Sequence, residues 1–193
     1  TICVIRDHNE WASLHPTMQQ QVFLISEAVT APGGEASIPL LSKYFAPQFK
    51  INDSDEAMAY WQVYDRTAGV LVPRDKWFYG PVDKEVLVMD SAPWHRYTVS
   101  FLAYRVWEEI NMYNHTTNHW TSEHLRQLDP RHKEVQAYLL GWLNDWCQKN
   151  PQVDVVRFTS LFYNFAFIWG ENPRNRYLFS DWASYDFTVS PLA

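Results

Sequence analysis

The run YTVSFLAYRVW at 97–107 carries apolar residues on both faces of an extended chain. A strand sends successive side chains to opposite faces, so a run without alternation needs cover on both. It reads as a strand buried between two layers, and that requirement constrains everything around it. The residues that follow are of a different kind. NMYNHTTNHW (111–120) packs three asparagines, two histidines, two threonines, a tyrosine and a tryptophan into ten positions. It is too polar for a core and too aromatic for an ordinary solvated loop.

The strongest helical pattern comes next. Val135, Tyr138, Leu139, Trp142, Leu143 and Trp146 recur at helical spacing and form a continuous apolar stripe. Asp129 is placed to cap this helix, Pro130 suits its first turn, and KNP (149–151) ends it. DVVRFTSLF (154–162) reads as a second buried strand, followed by the polar turn WGENPRNR (169–176). Strand, polar stretch, amphipathic helix and strand make a βαβ unit with parallel, right-handed connection. Ligands of such units gather beyond the carboxyl ends of the strands, which is where residues 111–120 fall.

Residues 22–95 read as a β-rich insertion. QVFLI is a short strand, APGGEAS (31–37) a turn, YWQVYDRTAGVLV (60–72) two strands across a turn near Gly69, and KEVLVMD (84–90) another strand. The chain has 193 residues, 47% of them hydrophobic, with only six glycines, which suits a substantial core. It opens on TICVI and closes on FTVSPLA, and both ends read as cuts through a structure, so a fragment is expected. A net charge of −6 argues against a nucleic-acid partner. No apolar run is long enough to span a membrane, and no cleavable signal is visible. Cys3 and Cys147 form no disulfide framework and read as buried small hydrophobes, which makes a cytoplasmic location the default. Aromatic residues reach 17%, which a large core explains more simply than a carbohydrate platform does.

Arg157 is the sharpest candidate. It shares a strand face with Val155 and Thr159, and a buried guanidinium is costly unless paired or used. A structural ion pair and a fork for sugar hydroxyls or phosphate oxygens both fit. Asn114 offers donors and acceptors that match adjacent hydroxyls, and Asn111, Asn114 and Asn118 fall on one face of a short helix; capping and turn roles compete with that reading. His115 and His119 have the i, i+4 spacing of metal ligands, but no third ligand accompanies them and no metal is expected. Asp90, Glu108, Glu109, Asp181 and Asp186 are carboxylates near strand ends, and spacing singles out none as an acid catalyst. HNEW (8–11) reads as a polar loop facing the same region.

WHRYTVSFLAY, MYNHTTN, NPQVDVVRFTSLFYNF and FTVSP, in this order, together with HNEW, IPL and YWQVYDRTAG, resemble the 1,3-β-galactosyl-N-acetylhexosamine phosphorylases of glycoside hydrolase family 112. The resemblance covers essentially residues 8–191 and extends to members acting on galactosyl-rhamnose. It implies the N-terminal portion of a (β/α)8 TIM barrel carrying a β-rich insertion. It implies reversible, inverting phosphorolysis of a β-galactosyl disaccharide of the galacto-N-biose or lacto-N-biose type, giving α-galactose 1-phosphate and the acceptor sugar. Inorganic phosphate would be the co-substrate, with no other cofactor, and a homodimer of the full-length enzyme is compatible with it. Matched motif to motif, Asn114 in MYNH and Arg157 in DVVRF fall on sugar-binding positions, and Ile110 falls near the acceptor side. The general-acid aspartate would lie beyond Ala193 and a further sugar-contacting arginine before Thr1, so no catalytic residue is expected here and the chain alone should be inactive. The sequence departs from the family pattern at Arg105 and across Tyr185–Phe187, where other members can carry smaller or apolar residues. A hydrolase acting on galactosides and a non-catalytic sugar-binding domain stay open as rival readings.

Overall fold

The structure is a computed structural model that describes residues 6–106, 118–119, 121, 123 and 126–156, together with the backbone of two short strands, 165–167 and 185–187. In chain order the elements are α1 (Asn9–Leu14), β1 (Gln21–Ile25), β2 (Val29–Thr30), β3 (Gly34–Pro39), β4 (Phe49–Ile51) and α2 (Asp55–Met58). They continue with β5 (Gln62–Asp65), β6 (Val70–Leu71), β7 (Trp77–Gly80), β8 (Glu85–Ser91), β9 (Arg96–Arg105), α3 (Lys133–Lys149), β10 (Phe165–Phe167) and β11 (Tyr185–Phe187).

The ten-residue β9 is the spine. On one edge it pairs with β1, from Gln21↔Tyr104 to Ile25↔Ser100, and with β2 through Val29↔Tyr97. On the other it pairs with β5, from Gln62↔Ser100 to Asp65↔Tyr97, and with β4 from Phe49↔Arg105 to Ile51↔Ala103. A second sheet in the order β3-β8-β7 packs over this one. Tyr97, Val99, Phe101 and Ala103 from one face of β9 meet Val22, Leu24, Ile38, Trp77, Val86 and Val88. Leu102 and Tyr104, on the opposite face, are also buried. Cover on both sides is the physical reason for the unalternating run, and that expectation is borne out.

The parallel βαβ reading is not borne out for this strand. Among the described residues every pairing of β9 is antiparallel, and both of its edges are occupied by segments that precede it in the chain. Hydrophobicity reports burial; it carries no information about the direction of the neighbouring strand. The described residues form a mixed α/β structure that is mostly strand, with sheets that do not close into a barrel. β10 and β11 pair antiparallel, Phe165↔Phe187 to Phe167↔Tyr185.

Other local expectations fare unevenly. The β5–β6 hairpin turns at Gly69, whose φ of +72° is the left-handed backbone that glycine adopts without strain. The 31–37 turn is narrower than expected, because β3 is already under way from Gly34. In α3, Val135 is buried, and Tyr138 and Leu139 pack against Ala12 and Leu128. Trp142, Leu143 and Trp146 are half-buried on the same stripe. The helix starts at Lys133 with His132 at its N-cap. Asp129 does not cap it: the carboxylate is buried and accepts from the Arg131 guanidinium, 2.6 Å away, in the turn before the helix. Cys147 is exposed, correcting the buried reading, because it lies off the apolar stripe. Residues 154–156 are not strand and Val155 is exposed; the rest of the predicted 154–162 strand lies outside the described residues.

Candidate functional site

The two ends of β9 differ in how their polar groups are employed. At the amino end, Asp65 closes the β5–β6 turn. Its Oδ1 accepts from the Thr67 and Ala68 amides, both at 2.9 Å, while Oδ2 meets His95 Nδ1 at 2.7 Å. Thr67 Oγ1 accepts from the Arg96 amide, and Tyr97 Oη accepts from the Ala92 amide. Burial pushes the Asp65 carboxyl up, but the two turn amides and the His95 ring outweigh it and hold the group below its ordinary range. One carboxylate oxygen serves the two turn amides and the other the His95 ring, which makes the pair a lock on the turn.

The carboxyl end gathers buried amides. Gln19, Gln20, Gln21, Gln48, Asn52 and Arg105 are all buried there. Arg105 Nη2 donates to Gln20 Oε1, and Asn52 Nδ2 donates to Gln21 Oε1 at 2.8 Å. Tyr104 is pushed up by burial, with Glu56 and Asp53 adding to the effect. Backbone bonds bring the returning segment 126–129 to the same place. The Gln20 amide donates to Gln127 O at 3.0 Å, the Asp129 amide to Met18 O at 2.8 Å, and the Arg126 amide to Asn9 Oδ1 at 3.0 Å. Gln19 Oε1, Arg126 Nε, Gln127 Oε1 and His132 Nε2 are buried here without a hydrogen-bond partner among the described residues; two other such atoms, Trp61 Nε1 and Ser91 Oγ, lie elsewhere in the β unit. Unused buried donors and acceptors are costly, and these four lie on Gln19 and on the returning segment 126–132.

HNEW flanks this end as helix rather than loop. His8 Nδ1 lies 3.1 Å from Tyr138 Oη and its ring meets Trp142 edge-on, while Trp11 is stacked between His15 and Tyr138. Burial lowers the His8 pKa, against a smaller opposing effect of Asp7. These contacts seat α1 against α3.

Asn114, Arg157 and Ile110 lie outside the described residues, as do Asn111, His115, Glu108, Glu109 and Asp181. Asn118 and His119 are described and exposed. Asp90 is exposed and paired with Lys76 at 2.7 Å, a surface contact. Asp186 lies in β11 opposite Ala166. Among the described residues no three His, Cys, Asp or Glu side chains gather to hold a metal. Sequence reasoning missed the glutamine cluster and the Asp65–His95 pair. The run of three glutamines at 19–21, set directly before an apolar strand, was the available signal for the cluster.

The arrangement defines a class: a strand-rich α/β domain whose unused polar capacity collects at one end of its central strand. Over residues 1–193 the chain matches the lacto-N-biose phosphorylase N-terminal TIM barrel domain, and it belongs to that family. It is 58% identical over 193 residues to the D-galactosyl-β-1→4-L-rhamnose phosphorylase of Lachnoclostridium phytofermentans, covering 100% of this chain and 27% of that protein. It is 39% identical over 189 residues to the 1,3-β-galactosyl-N-acetylhexosamine phosphorylase of Bifidobacterium longum subsp. longum, 97% of this chain and 25% of that protein. A second L. phytofermentans protein, a 1,3-β-galactosyl-N-acetylhexosamine phosphorylase, is 37% identical over 193 residues, 99% of this chain and 26% of that protein. The chain thus spans about a quarter of the length of these relatives. No helix among the described residues is long and apolar enough to cross a membrane.

Proposed function

We propose that the protein carrying this chain is a cytoplasmic, inverting phosphorylase of β-galactosyl disaccharides. The phosphate oxygen bonds to the anomeric carbon as the glycosidic bond breaks. The leaving oxygen takes a proton from a general acid, giving α-galactose 1-phosphate and a free acceptor sugar. In this reading Asn114 and Arg157 bind the galactosyl and phosphate end, and Ile110 borders the acceptor. The proton donor comes from outside this chain. The observation that carries the reading is 58% identity across all 193 residues to a galactosyl-rhamnose phosphorylase. The margin over the N-acetylhexosamine enzymes favours rhamnose as the acceptor over the galacto-N-biose and lacto-N-biose type.

The test is an assay of the longer protein, with this chain joined to the remaining length found in the relatives. Galactose 1-phosphate should form from galactosyl-β-1,4-L-rhamnose faster than from galacto-N-biose or lacto-N-biose, and only with added phosphate. Free galactose without phosphate would make it a hydrolase, and binding without turnover a sugar-binding domain. Arg157→Ala should lower kcat/KM about 10- to 150-fold, the loss of ~1.5–3 kcal/mol of charge-assisted hydrogen bonding. Unchanged kinetics would remove Arg157 from the site.

A further inference from the structure

A cavity of about 390 Å³ opens between α2, the β5–β6 hairpin and the turn that leads into β7. Its size falls in the range of small-molecule sites, about 300–1,000 Å³. Trp61, Val63 and Trp77 give it an apolar wall, and all three are buried. Trp61 is held by edge-on contacts with Tyr79, at 5.1 Å between ring centres, and Phe101, at 5.8 Å. Its Nε1 is buried without an acceptor among the described residues. Asp55, Gln62 and Arg74 line the same cavity and are exposed. The Arg74 guanidinium lies 4.0 Å from the centre of the Trp77 ring, and its Nη1 donates to Trp77 O at 2.9 Å. Stack and hydrogen bond together fix the fork and leave its other N–H groups for a guest.

Asp55 and Arg74 bring opposite charges to one cavity, yet neither forms an ion pair among the described residues. A cationic guest would be repelled by Arg74 and an anionic one by Asp55. A hydroxyl suits both, because it donates to a carboxylate and accepts from a guanidinium or an indole N–H. The C–H groups of a sugar ring suit the apolar wall. We propose that this cavity binds a neutral saccharide. Asp55 accepts from its hydroxyls, Arg74 and Gln62 donate to them, and the Trp61 indole N–H gains the acceptor it lacks. The residues involved all lie within 55–77, so the proposal does not rest on the phosphorolysis reading and its test needs no turnover.

The experiment uses the longer protein and follows amide hydrogen exchange with three probes: galactose, L-rhamnose and, as an anionic counterpart, galacturonate. The Val72 amide, bonded to Val63 O at 2.8 Å, and the Lys76 amide, bonded to Pro73 O at 3.0 Å, report on the cavity. A neutral sugar at about ten times its Kd should slow their exchange roughly tenfold, with the β3 and β8 amides unchanged. Asp55→Asn and Arg74→Met should each raise the sugar concentration needed for this protection about tenfold or more, since each removes a charge-assisted hydrogen bond. Asp55→Asn should also admit galacturonate, because the repelling charge is gone. Asp55 is exposed and the change keeps its shape, so this variant carries the test if Arg74→Met disturbs the turn. Protection by galacturonate and not by the neutral sugars in the unmodified protein would overturn the proposal. So would exchange that none of the probes slows at about 100 mM. Protection that survives unchanged in both variants would also overturn it, by placing the bound sugar away from Asp55 and Arg74.

Discussion

Asp65 offers a perturbation whose two parts separate cleanly. Its side chain is 9% exposed, with one oxygen serving two turn amides and the other facing His95 at 2.7 Å. Asp65→Asn keeps an acceptor for the amides and turns the carboxylate–imidazole contact into a neutral one, a loss of about 1–2 kcal/mol. Asp65→Ala removes everything and leaves two amides and an imidazole without their partner, for ~3–5 kcal/mol. The loss should be read locally, at the amides beside the lock. Two amides report on the lock: Arg66 N–H, bonded to Arg96 O at 2.7 Å, and Ala31 N–H, bonded to His95 O at 2.8 Å. Their hydrogen exchange near neutral pH should accelerate roughly 5- to 30-fold in Asp65→Asn. Because the folded carboxyl titrates below its ordinary 3.8, the stabilisation is complete above that value and disappears as pH falls through the depressed one. The gap between the unmodified protein and Asp65→Asn should therefore close in acid. Equal protection of both amides at neutral pH would refute the lock, and equal losses in the Asn and Ala variants would show that the turn amides draw nothing from Asp65.

Phe101 is fully buried at the centre of the two-sheet core, so Phe101→Ala should cost about 3–5 kcal/mol, seen as loss of exchange protection across both sheets. Protection lost in the β9 sheet alone would show that the second sheet does not depend on it. Trp94 is 78% exposed and holds a left-handed backbone, φ +68°, at the turn before β9. Trp94→Gly should relieve strain and stabilise that turn on the order of 1 kcal/mol, read as slower exchange of the Ala31 amide. Faster exchange there would mean that the exposed indole contributes packing that outweighs the strain.

Much of the local structure was legible because burial writes itself into sequence as a period. The β9 run carried apolar residues on both faces, and both are covered; the α3 stripe repeated at helical spacing, and its Val135, Tyr138 and Leu139 pack with Ala12 of α1. The turn at Gly69 was visible because positive φ selects glycine. The family was also legible, from long motifs in fixed order. Site residues were legible only as types. Asn114, Arg157 and Ile110 carry suitable chemistry, but they lie outside the described residues.

Tertiary structure alone decided the pairings. An apolar strand satisfies its burial equally well beside a parallel or an antiparallel neighbour, and the antiparallel partners of β9 on both edges appear only in the folded sheet. Polar groups were less legible still. Gln20 and Arg105 stand 85 positions apart, and Asp65 and His95 stand 30 apart. A side chain's identity states which bonds it must make once buried; which distant residue supplies them depends on the register of the sheet, and that is fixed only when the whole core packs.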